Sequence, residues 1–575
     1  MNIGRWIIDA KLRGSKPAVE YKINKVWQQL SWSEYIDKVT SAHAYLKKLK
    51  ISKNDHVGLM STTRWEWGAL DLALLGSSAV VVPIYPNLND EELLYIINHS
   101  DIKFLIIETE VQIKQLDRIK SGFLKNVTII SMNDINFNQE ISDKLKNSFF
   151  NLCKKIDLKS IATIVYTSGT TGKPKGAILL HEAIVSEITE AYSLFGIKPN
   201  YKSLTFLPFA HILGRIEHWG SCWNGHTLAY AESIEKIKSS LIEVKPDFII
   251  GVPRVFEKIY SNIMAQVETI KYKQSLFSLA LETAQEIQKY RKTKEAIPWS
   301  LLLKHEAFSR IVFSPIQKAF GGKLKFAISG GAPISAELVE FFSYCGLPIL
   351  EGYGLTETCA AITINTLNNN QAGTVGSPIG DVKIKFAEDG EILVSSKKCL
   401  SEYYKDPEET KKNLKDGYFA TGDIGLFTQA GYLKITDRKK DLIKTSGGKY
   451  VAPQKLEGLL KQDPLISNVL IHGDQRKFIS ALITFDEEQL KEWAKSQQLT
   501  YSKIRDLYLN PLLKIRLQKH IQGLNSKLAS FEAIKKFEII SDEWTVENGS
   551  LTQSLKVKRK LIETKYADLI NEIYE

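Results

Sequence analysis

The sequence predicts an α/β fold with a large N-terminal domain, built from parallel α/β subdomains and a small β subdomain, and a small α+β C-terminal domain. Three observations support this. Short β-branched runs alternate with helical patterns over the first 250 or so residues, short and closely spaced strands follow Asp381, and mixed strands and helices begin near Lys440. Such alternation is typical of parallel sheets covered by helices. A chain of 575 residues is also too long for one ordinary core. We therefore expect two domains, residues 1–439 and 440–575.

Helical spacing of apolar side chains predicts helices over residues 32–49 and 89–99. Short β-branched runs predict the strands between and after them. These predicted strands cover residues 57–60, 80–83, 103–107, 127–131, 161–167 and 247–251.

The segment from residue 255 to residue 320 changes character. It is lysine-rich and helical in period, and Pro298 and Pro315 are predicted to break it. Strands are predicted again at residues 325–329 and 348–350. Those at 383–386, 391–394 and 432–436 are short and close together, which indicates the small β subdomain.

Composition excludes several classes of protein. Hydrophobic residues make up 44% and charged residues 25%, which is ordinary for a globular chain. The longest apolar stretch, residues 74–85, is too short for a membrane span, and we expect no secretory signal at the N-terminus. The five cysteines are scattered without a C-x-x-C pair, so reduced thiols in a cytoplasmic protein are expected rather than a disulfide framework or a zinc site.

The net charge of +11 is partly concentrated in the basic run at residues 556–560. A basic surface favours nucleic acid, an anionic membrane face or anionic ligands. No zinc finger or RNA-binding signature accompanies the charge, so nucleic acid is not expected. Without an anchor helix, membrane contact would be peripheral at most.

The most informative segment is a glycine-rich loop, Tyr166-Thr-Ser-Gly-Thr-Thr-Gly-Lys-Pro-Lys-Gly176, which follows a predicted buried strand. Its glycines allow close approach of the backbone to a ligand. Hydroxyls, backbone amides and two lysines suit phosphate oxygens. It is not a P-loop, because the second glycine of that pattern would fall on Pro174.

The loop resembles the signature of the adenylate-forming superfamily, which includes acyl-CoA synthetases, luciferases and the adenylation domains of peptide synthetases. Further motifs of that superfamily follow in its order and over nearly the whole chain. They are Ser329-Gly-Gly-Ala-Pro333, Tyr353-Gly-Leu-Thr-Glu357, Phe419-Ala-Thr-Gly-Asp423, Asp437-Arg-Lys-Lys-Asp441 and Ser554-Leu-Lys556.

The resemblance implies that ATP activates a carboxylic acid as an acyl-adenylate, from which a thiol then displaces AMP. It implies the catalytic residues Lys556, Thr356 and Glu357, with Glu357 also a ligand of Mg²⁺. The residues it assigns to ATP and AMP binding are Thr167, Ser168, Gly169, Thr170, Thr171, Gly172, Lys175, Gly330, Gly331, Ala332, Pro333, Tyr353, Gly354, Asp423 and Arg438.

The resemblance also implies a mobile C-terminal domain. It would rotate about a hinge at Lys440 after adenylation, and the loop with Gly447 and Gly448 would then face coenzyme A. A closing domain that excludes water protects an adenylate from hydrolysis.

Subfamily features favour a long-chain fatty acid as the substrate. Leu207-Pro-Phe-Ala-His211 resembles a segment near the acyl pocket, which places His211 there. Residues 251–258 and the helical insertion 255–320 resemble long-chain acyl-CoA synthetases. An apolar tunnel is expected between the sheet after Ser203 and helices near Trp219 and Trp223.

Two alternatives stay open beside the long-chain acyl-CoA synthetase. One is a fatty acyl-AMP ligase that loads a carrier protein. The other is a non-catalytic nucleotide- or lipid-binding relative, which would be expected to lack Lys556, Glu357 or Asp423; all three are present. The sequence leaves the chain length of the acid and the oligomeric state undetermined.

Overall fold

The computed structural model describes residues 2–167, 173–233, 236–268, 271–546, 548–552 and 556–575. They form a large N-terminal domain and a smaller C-terminal domain, both mixed in helix and strand, which confirms the predicted α/β class.

The helices of the large domain are α1 (Ile3–Leu12), α2 (Trp32–Lys48), α3 (Trp65–Gly76), α4 (Asp90–His99), α5 (Glu110–Ile119), α6 (Asp143–Lys154), α7 (His181–Ser193), α8 (Ile212–Asn224), α9 (Ile237–Val244), α10 (Pro253–Glu268), α11 (Lys271–Thr293), α12 (Trp299–Phe308), α13 (Ser314–Ala319), α14 (Ala336–Tyr344) and α15 (Pro407–Asn413). Its strands are β1 (Pro17–Ile23), β2 (Val26–Ser31), β3 (His56–Met60), β4 (Val80–Ile84), β5 (Phe104–Ile107), β6 (Thr128–Ser131), β7 (Ile161–Thr167), β8 (Lys175–Leu180), β9 (Lys202–Thr205), β10 (Thr227–Tyr230), β11 (Phe248–Gly251), β12 (Phe326–Ser329), β13 (Ile349–Leu355), β14 (Ala360–Ile364), β15 (Ser377–Pro378), β16 (Lys383–Phe386), β17 (Glu391–Ser395), β18 (Leu414–Lys415), β19 (Tyr418–Phe427) and β20 (Leu433–Arg438). The C-terminal domain contains β21 (Ile443–Lys444), β22 (Tyr450–Val451), α16 (Pro453–Leu460), β23 (Ile466–His472), β24 (Ile479–Phe485), α17 (Glu487–Ser496), α18 (Ile504–Tyr508), α19 (Pro511–Asn525), β25 (Ile534–Ile539), α20 (Arg559–Lys565) and α21 (Ala567–Tyr574).

Two large sheets carry the N-terminal domain. One has six strands in the order β6-β5-β3-β4-β7-β8, and the other has nine in the order β15-β14-β13-β12-β11-β9-β10-β1-β2. Their central pairs are parallel, whereas β7–β8, β1–β2 and β13–β14–β15 are antiparallel. Strand β4 is buried along its whole length, as expected for a parallel strand covered on both faces.

Local signals explain where helices begin. Ser31 and Glu34 form a reciprocal capping box at the start of α2, and the Asn89 side chain caps α4. Both helices, and the predicted strands before residue 252, are confirmed to within a residue at either end.

The small β subdomain is a five-stranded antiparallel sheet of β16 to β20. In the C-terminal domain, β23, β24 and β25 form a sheet with its own apolar core, which includes Leu456, Ile483 and Leu517. The predicted α+β character of this region is confirmed.

One predicted break is wrong. Pro298 ends the loop before α12, but Pro315 lies in the first turn of α13, which follows the five-residue π-helical turn Ser309–Phe313 without interruption. Pro315 has no N–H to donate to the carbonyl four residues earlier, and the α-helical hydrogen-bond pattern gives way to a π-helical turn just before it, while the backbone stays helical. The helical insertion therefore runs continuously from Trp299 to Ala319.

Among the described residues, no helix is both long enough and apolar enough to cross a bilayer. The five cysteines, all of them described, are free thiols, as predicted.

Candidate active site

A cleft of about 3400 Å³ lies between the two domains. Its walls come from the ends of β7, β12 and β13, from the β19–β20 hairpin, and from the segment just before α20. Every described residue predicted for nucleotide binding, catalysis, the acyl pocket or the hinge lines this cleft. The fold thus brings together motifs that are separated by hundreds of residues.

Lys556 reaches the cleft from the C-terminal domain. Its backbone N–H donates to the hydroxyl of Thr552 at 3.1 Å, and the next residue, Val557, forms a β-bridge with Leu551. Desolvation in the cleft, and then the nearby Arg438 guanidinium, lower the pKa of the Lys556 ammonium. Asp423 and Glu357 act in the opposite direction. Solvent in the open cleft still reaches the side chain, so an anionic ligand could take the place of that water.

Thr356 and Glu357 begin a single 3-10 turn directly after β13. The Tyr403 hydroxyl donates to Oε1 of Glu357 at 3.0 Å. The backbone of Glu357 is also fixed, because its carbonyl accepts the N–H of Leu400 at 2.6 Å. A carboxylate held at a cleft wall through one oxygen still presents its other oxygen to a hard cation.

Asp423 is nine-tenths buried and sits between two partners. The Tyr353 hydroxyl donates to Oδ2 at 2.7 Å, and Nε of Arg438 lies 3.3 Å from Oδ1. Asp423 and Arg438 are register partners of β19 and β20, so the hairpin itself places them side by side. Burial raises the pKa of the Asp423 carboxyl, and the positive charge of Arg438 opposes that rise.

Thr167 and Lys175 lie at the two ends of the glycine-rich loop and face each other as register partners of β7 and β8. The Lys175 ammonium forms an ion pair with Glu409 of α15. Ser168, Gly169, Thr170, Thr171 and Gly172 lie outside the described residues.

The segment Gly330, Gly331, Ala332 and Pro333 follows β12 along the cleft wall. Gly331 has a φ of +80°, a conformation that favours glycine. Gly354 is required for another reason: a Cβ there would lie 1.5 Å from the carbonyl oxygen of Ala360, where β13 and β14 approach. The structure therefore gives Gly354 a packing role in the hairpin that carries Thr356 and Glu357.

His211 caps α8, where its Nδ1 accepts the N–H of Leu213 at 3.1 Å. Burial, and then the charge of Lys556, lower the pKa of the imidazole to about 4. The ring is therefore neutral near pH 7 and forms an uncharged wall of the cleft close to Lys556.

The apolar part of the cleft includes Phe206 and Leu207, which follow Ser203 as expected, but it extends along α10 rather than to Trp219 and Trp223. Val252, Val255 and Ile259 line it, together with Ile237 of α9. Trp219 is instead fully buried and donates to Asp71 at 2.8 Å, and Trp223 is not part of the cleft wall. The helical spacing of these tryptophans could not distinguish a core face from a pocket face.

Lys440 lies at the crossing between the domains. The preceding Lys439 is fixed to the large domain, because its N–H donates to Gly422 and its ammonium pairs with Asp389 and Glu391. The following Asp441 accepts a hydrogen bond from Gln454 of the C-terminal domain at 3.0 Å.

Gly447 and Gly448 form the exposed turn between β21 and β22, and neither of these described residues lines the cleft. Lys556 therefore faces the nucleotide motifs in this arrangement of the domains while the glycine turn does not.

Sequence reasoning missed the residues that hold others in place. Tyr403 lies in a segment that pairs with β8 through bonds such as Tyr404 N–H to Gly176, which sets it beside Lys175 and Glu357. Glu409 and Asn262 are likewise found only through the fold. No spacing in the sequence signals these contacts.

Comparison with known proteins agrees with this geometry. A family model described as "AMP-binding enzyme" matches residues 8–404, and one described as "AMP-binding enzyme C-terminal domain" matches residues 440–575. The chain belongs to the AMP-binding enzyme family. The predicted membership of the adenylate-forming superfamily is thereby confirmed.

Among the relatives of this AMP-binding enzyme is the long-chain-fatty-acid–CoA ligase FadD15 of Mycobacterium bovis, which is 34% identical over 96% of this chain and 93% of its own. Among solved structures, the adenylation domain of a carboxylate reductase from Mycobacterium chelonae has a TM-score of 0.76 at 20% identity, covering 100% of this chain and 91% of that one. The o-succinylbenzoate coenzyme A synthetase of Bacillus subtilis, solved with ATP and a magnesium ion, has a TM-score of 0.68 at 20% identity, covering 97% of this chain and 99% of that one. At this identity, the two structures show that the fold is shared.

Proposed function

We propose that this enzyme is a cytoplasmic long-chain-fatty-acid–CoA ligase. It uses ATP to convert a long-chain fatty acid into an acyl-adenylate, and then transfers the acyl group to coenzyme A with release of AMP. The observation that carries the proposal is the position of Lys556, in one cleft with Glu357, Asp423 and Arg438. The 34% identity to a long-chain-fatty-acid–CoA ligase over most of both chains supports the choice of acid and thiol.

In the first half-reaction a carboxylate oxygen attacks the α-phosphorus of ATP and diphosphate leaves. Negative charge accumulates on the phosphoryl oxygens, so fixed donors and cations contribute most to catalysis. Lys556 would stabilise both the attacking carboxylate and the α-phosphate, and Thr356, which lines the same cleft, would offer a hydroxyl donor. Thr167 and Lys175, together with Ser168, Gly169, Thr170, Thr171 and Gly172 of the same loop, would bind the β- and γ-phosphates.

The nucleoside would be held by the opposite wall. Asp423 can accept hydrogen bonds from the ribose hydroxyls while Arg438 stays beside it, and Tyr353 and the segment Gly330–Pro333 would line the adenine. His211 would border the acyl carboxylate as a neutral ring near pH 7, so Lys556 would be the cation that pairs with that carboxylate.

The residues present fit a magnesium ion that accompanies ATP. Glu357 offers a carboxylate oxygen at the cleft wall, and phosphate oxygens would complete a set of hard ligands. When bound, Mg²⁺ supplies positive charge to the phosphate oxygens.

We further propose that the C-terminal domain is mobile and turns about Lys440 between the half-reactions. Its polar contacts with the large domain among the described residues join single side chains, for example Gln462 with Glu337 at 3.2 Å and Lys558 with Glu92 at 3.8 Å. Rotation would withdraw Lys556 and bring Gly447 and Gly448 to the cleft, where a turn without side chains allows coenzyme A to approach.

The test is AMP release from ATP in the presence of coenzyme A, first with palmitate and then with acetate. Palmitoyl-CoA formed from palmitate, with no product from acetate, is the expected result. A palmitoyl-adenylate that coenzyme A does not consume would favour a ligase that loads a carrier protein. No AMP release from either acid, in a folded protein that binds ATP, would overturn the choice of substrate.

A further inference from the structure

Within the helical insertion, the first turns of α12 present a solvent-exposed apolar face, which we call the tip. Trp299, Leu302 and Leu303 lie at the start of α12 with the i, i+3, i+4 spacing that places side chains on one helical face. Trp299 is 75% exposed and Leu303 is 61% exposed. All ten tryptophans of the chain are described, and Trp299 alone among them is exposed. An aromatic and two leucines on one exposed face at the end of a helix indicate an interaction surface.

The same insertion carries part of the positive charge of the protein. Residues 255–320 hold ten basic and six acidic residues, so about a ninth of the chain carries a net charge of +4 out of +11. Lys289, Lys294 and Lys304 are exposed near the tip. Of the acidic residues, Glu306 lies on the same face of α12 as the tip but is neutralised by Arg310, whose Nη2 is 2.9 Å from its carboxylate.

We propose that the tip of α12, together with these surrounding lysines, docks the enzyme on an anionic lipid bilayer. A short apolar face that contains tryptophan, surrounded by lysine and arginine, matches the interfacial region of a membrane with anionic headgroups. The lysines around the tip complement anionic headgroups, while the tryptophan and leucines suit the boundary between headgroups and acyl chains, so an anionic bilayer accommodates both features at once.

The helices next to the tip pack against helices that line the cleft. Helix α13 continues from α12 and packs against α9, and α11 packs against α10. Both α9 and α10 line the apolar part of the cleft. The helices that would rest on the bilayer therefore connect directly to those that form the pocket wall. Membrane docking goes beyond the proposed ligase function. It is measured without turnover, so a failure of the docking proposal is distinguishable from a failure of the proposed function.

The test is co-sedimentation with vesicles of phosphatidylcholine alone and of equal parts phosphatidylcholine and phosphatidylglycerol, without nucleotide or fatty acid. We expect binding to the mixed vesicles that weakens with added salt, and a blue shift of tryptophan emission on binding. Trp299→Phe should keep the binding and lose most of the blue shift, since the other tryptophans are at least partly buried.

Two double variants separate the apolar and the charged contributions. Trp299→Ser with Leu303→Ser, and Lys289→Glu with Lys304→Glu, should each lower the partition coefficient at least tenfold. The control for the apolar variant is Leu124→Ser, because Leu124 is 80% exposed and lies outside the insertion. The control for the charged variant is Lys53→Glu with Lys114→Glu, which makes the same change in net charge at exposed sites. Both controls should bind within twofold of the unaltered enzyme, and thermal unfolding confirms that every variant is folded.

Equal binding by all folded variants, or no binding to the mixed vesicles, would overturn the proposal. So would a dimer in sedimentation equilibrium that the tip variants abolish while vesicle binding is unchanged, because the tip would then be covered by a second copy of the chain.

Discussion

The Tyr403 hydroxyl donates a hydrogen bond to Oε1 of Glu357 at 3.0 Å, across 46 positions of sequence. Segment 401–404 pairs with β8, through Ser401 N–H to Ile178 and Tyr404 N–H to Gly176, and this pairing fixes where the Tyr403 ring lies. Glu357 is thus oriented by a residue outside the recognisable motifs. Such a partner commonly determines how well a ligand carboxylate holds a metal ion.

Tyr403→Phe should leave the Glu357 carboxylate less well oriented and so weaken the binding of Mg²⁺ during adenylation. A hydrogen bond to a charged group contributes about 1.5–3 kcal/mol, so we expect the adenylation rate at low Mg²⁺ to fall roughly tenfold or more. Raising the Mg²⁺ concentration should recover part of the loss. Diphosphate exchange into ATP, measured over a range of Mg²⁺ concentrations, checks this.

Tyr404→Phe is the matched control, because the neighbouring Tyr404 hydroxyl instead donates to Asp101 at 2.8 Å, away from the cleft. An unchanged Mg²⁺ dependence in Tyr403→Phe would show that this hydroxyl does not orient the Glu357 carboxylate for the metal.

Lys556→Ala should separate the two half-reactions. Loss of a donor that stabilises developing charge lowers a rate by about 10²–10³-fold, and we expect that loss in acyl-adenylate formation. Thioester formation from chemically prepared acyl-adenylate should be nearly unaffected, because the proposed rotation removes Lys556 from the cleft. Lys560→Ala, in the same basic run, is the control. Equal losses in both half-reactions would contradict a role confined to adenylation.

Deprotonation of Lys556 should also lower the adenylation rate at alkaline pH. Its pKa is lowered in the free enzyme, so the ammonium loses its proton at a lower pH than an ordinary lysine. If the charged form is the active one, kcat/KM for ATP in diphosphate exchange should decline on the alkaline side before pH 10.5. In Lys556→Arg the guanidinium stays protonated, so this decline should disappear even if the rate is low. A decline that persists unchanged in Lys556→Arg would assign it to another group.

The sequence predicted the elements that local pattern determines. Strand β7 and helix α2 follow from a β-branched run and a capping box, which act within a few residues. The motifs likewise predicted residues that prove to share one cleft. Hairpin β1–β2 was not predicted, because its place at the edge of the nine-stranded sheet depends on pairing with β10, two hundred residues away.

Contacts between single side chains from distant parts of the chain were not predicted either, because they also depend on residues far apart in the sequence. Tyr403, Glu409 and Asn262 acquire their roles from strands and helices that meet only in the folded chain. Trp219 shows the converse: its helix was expected to border the acyl tunnel, yet Trp219 itself packs against Arg215 in the core. Periodicity identifies a buried face but not what covers it.

The contact between α10 and the C-terminal domain should favour the adenylation arrangement. The Gln489 amide donates to Asn262 at 3.0 Å, on a helix that also lines the apolar part of the cleft. Asn262→Ala and Gln489→Ala should each slow adenylation by roughly twofold to fivefold, as expected for one neutral hydrogen bond of about 0.5–1 kcal/mol. The double variant should be no slower than the slower single variant. Strictly additive losses would mean that the two side chains act independently.

Glu217 should make the stability of the enzyme depend on pH. The residue is fully buried in α8, outside the cleft, and burial raises the pKa of its carboxyl to about 8 against a smaller opposite effect of the Thr205 and Ser203 hydroxyls. Between the ordinary glutamate pKa near 4.5 and pH 8, the folded state holds a proton that the unfolded state has released. Stability from this group is therefore lost as the pH rises through that window.

Glu217→Gln removes the titration while it keeps the shape of the neutral acid. Relative to the unaltered enzyme, its free energy of unfolding should improve from pH 5.5 to pH 8.5 by on the order of 3 kcal/mol, at about 1.4 kcal/mol for each pKa unit. Urea unfolding at both pH values measures this, with the exposed Glu91→Gln as a control whose effect should be the same at both. If the difference between Glu217→Gln and the unaltered enzyme is also the same at both pH values, the Glu217 carboxyl is ionised in the folded state near neutral pH, and a buried water or cation must be compensating its charge.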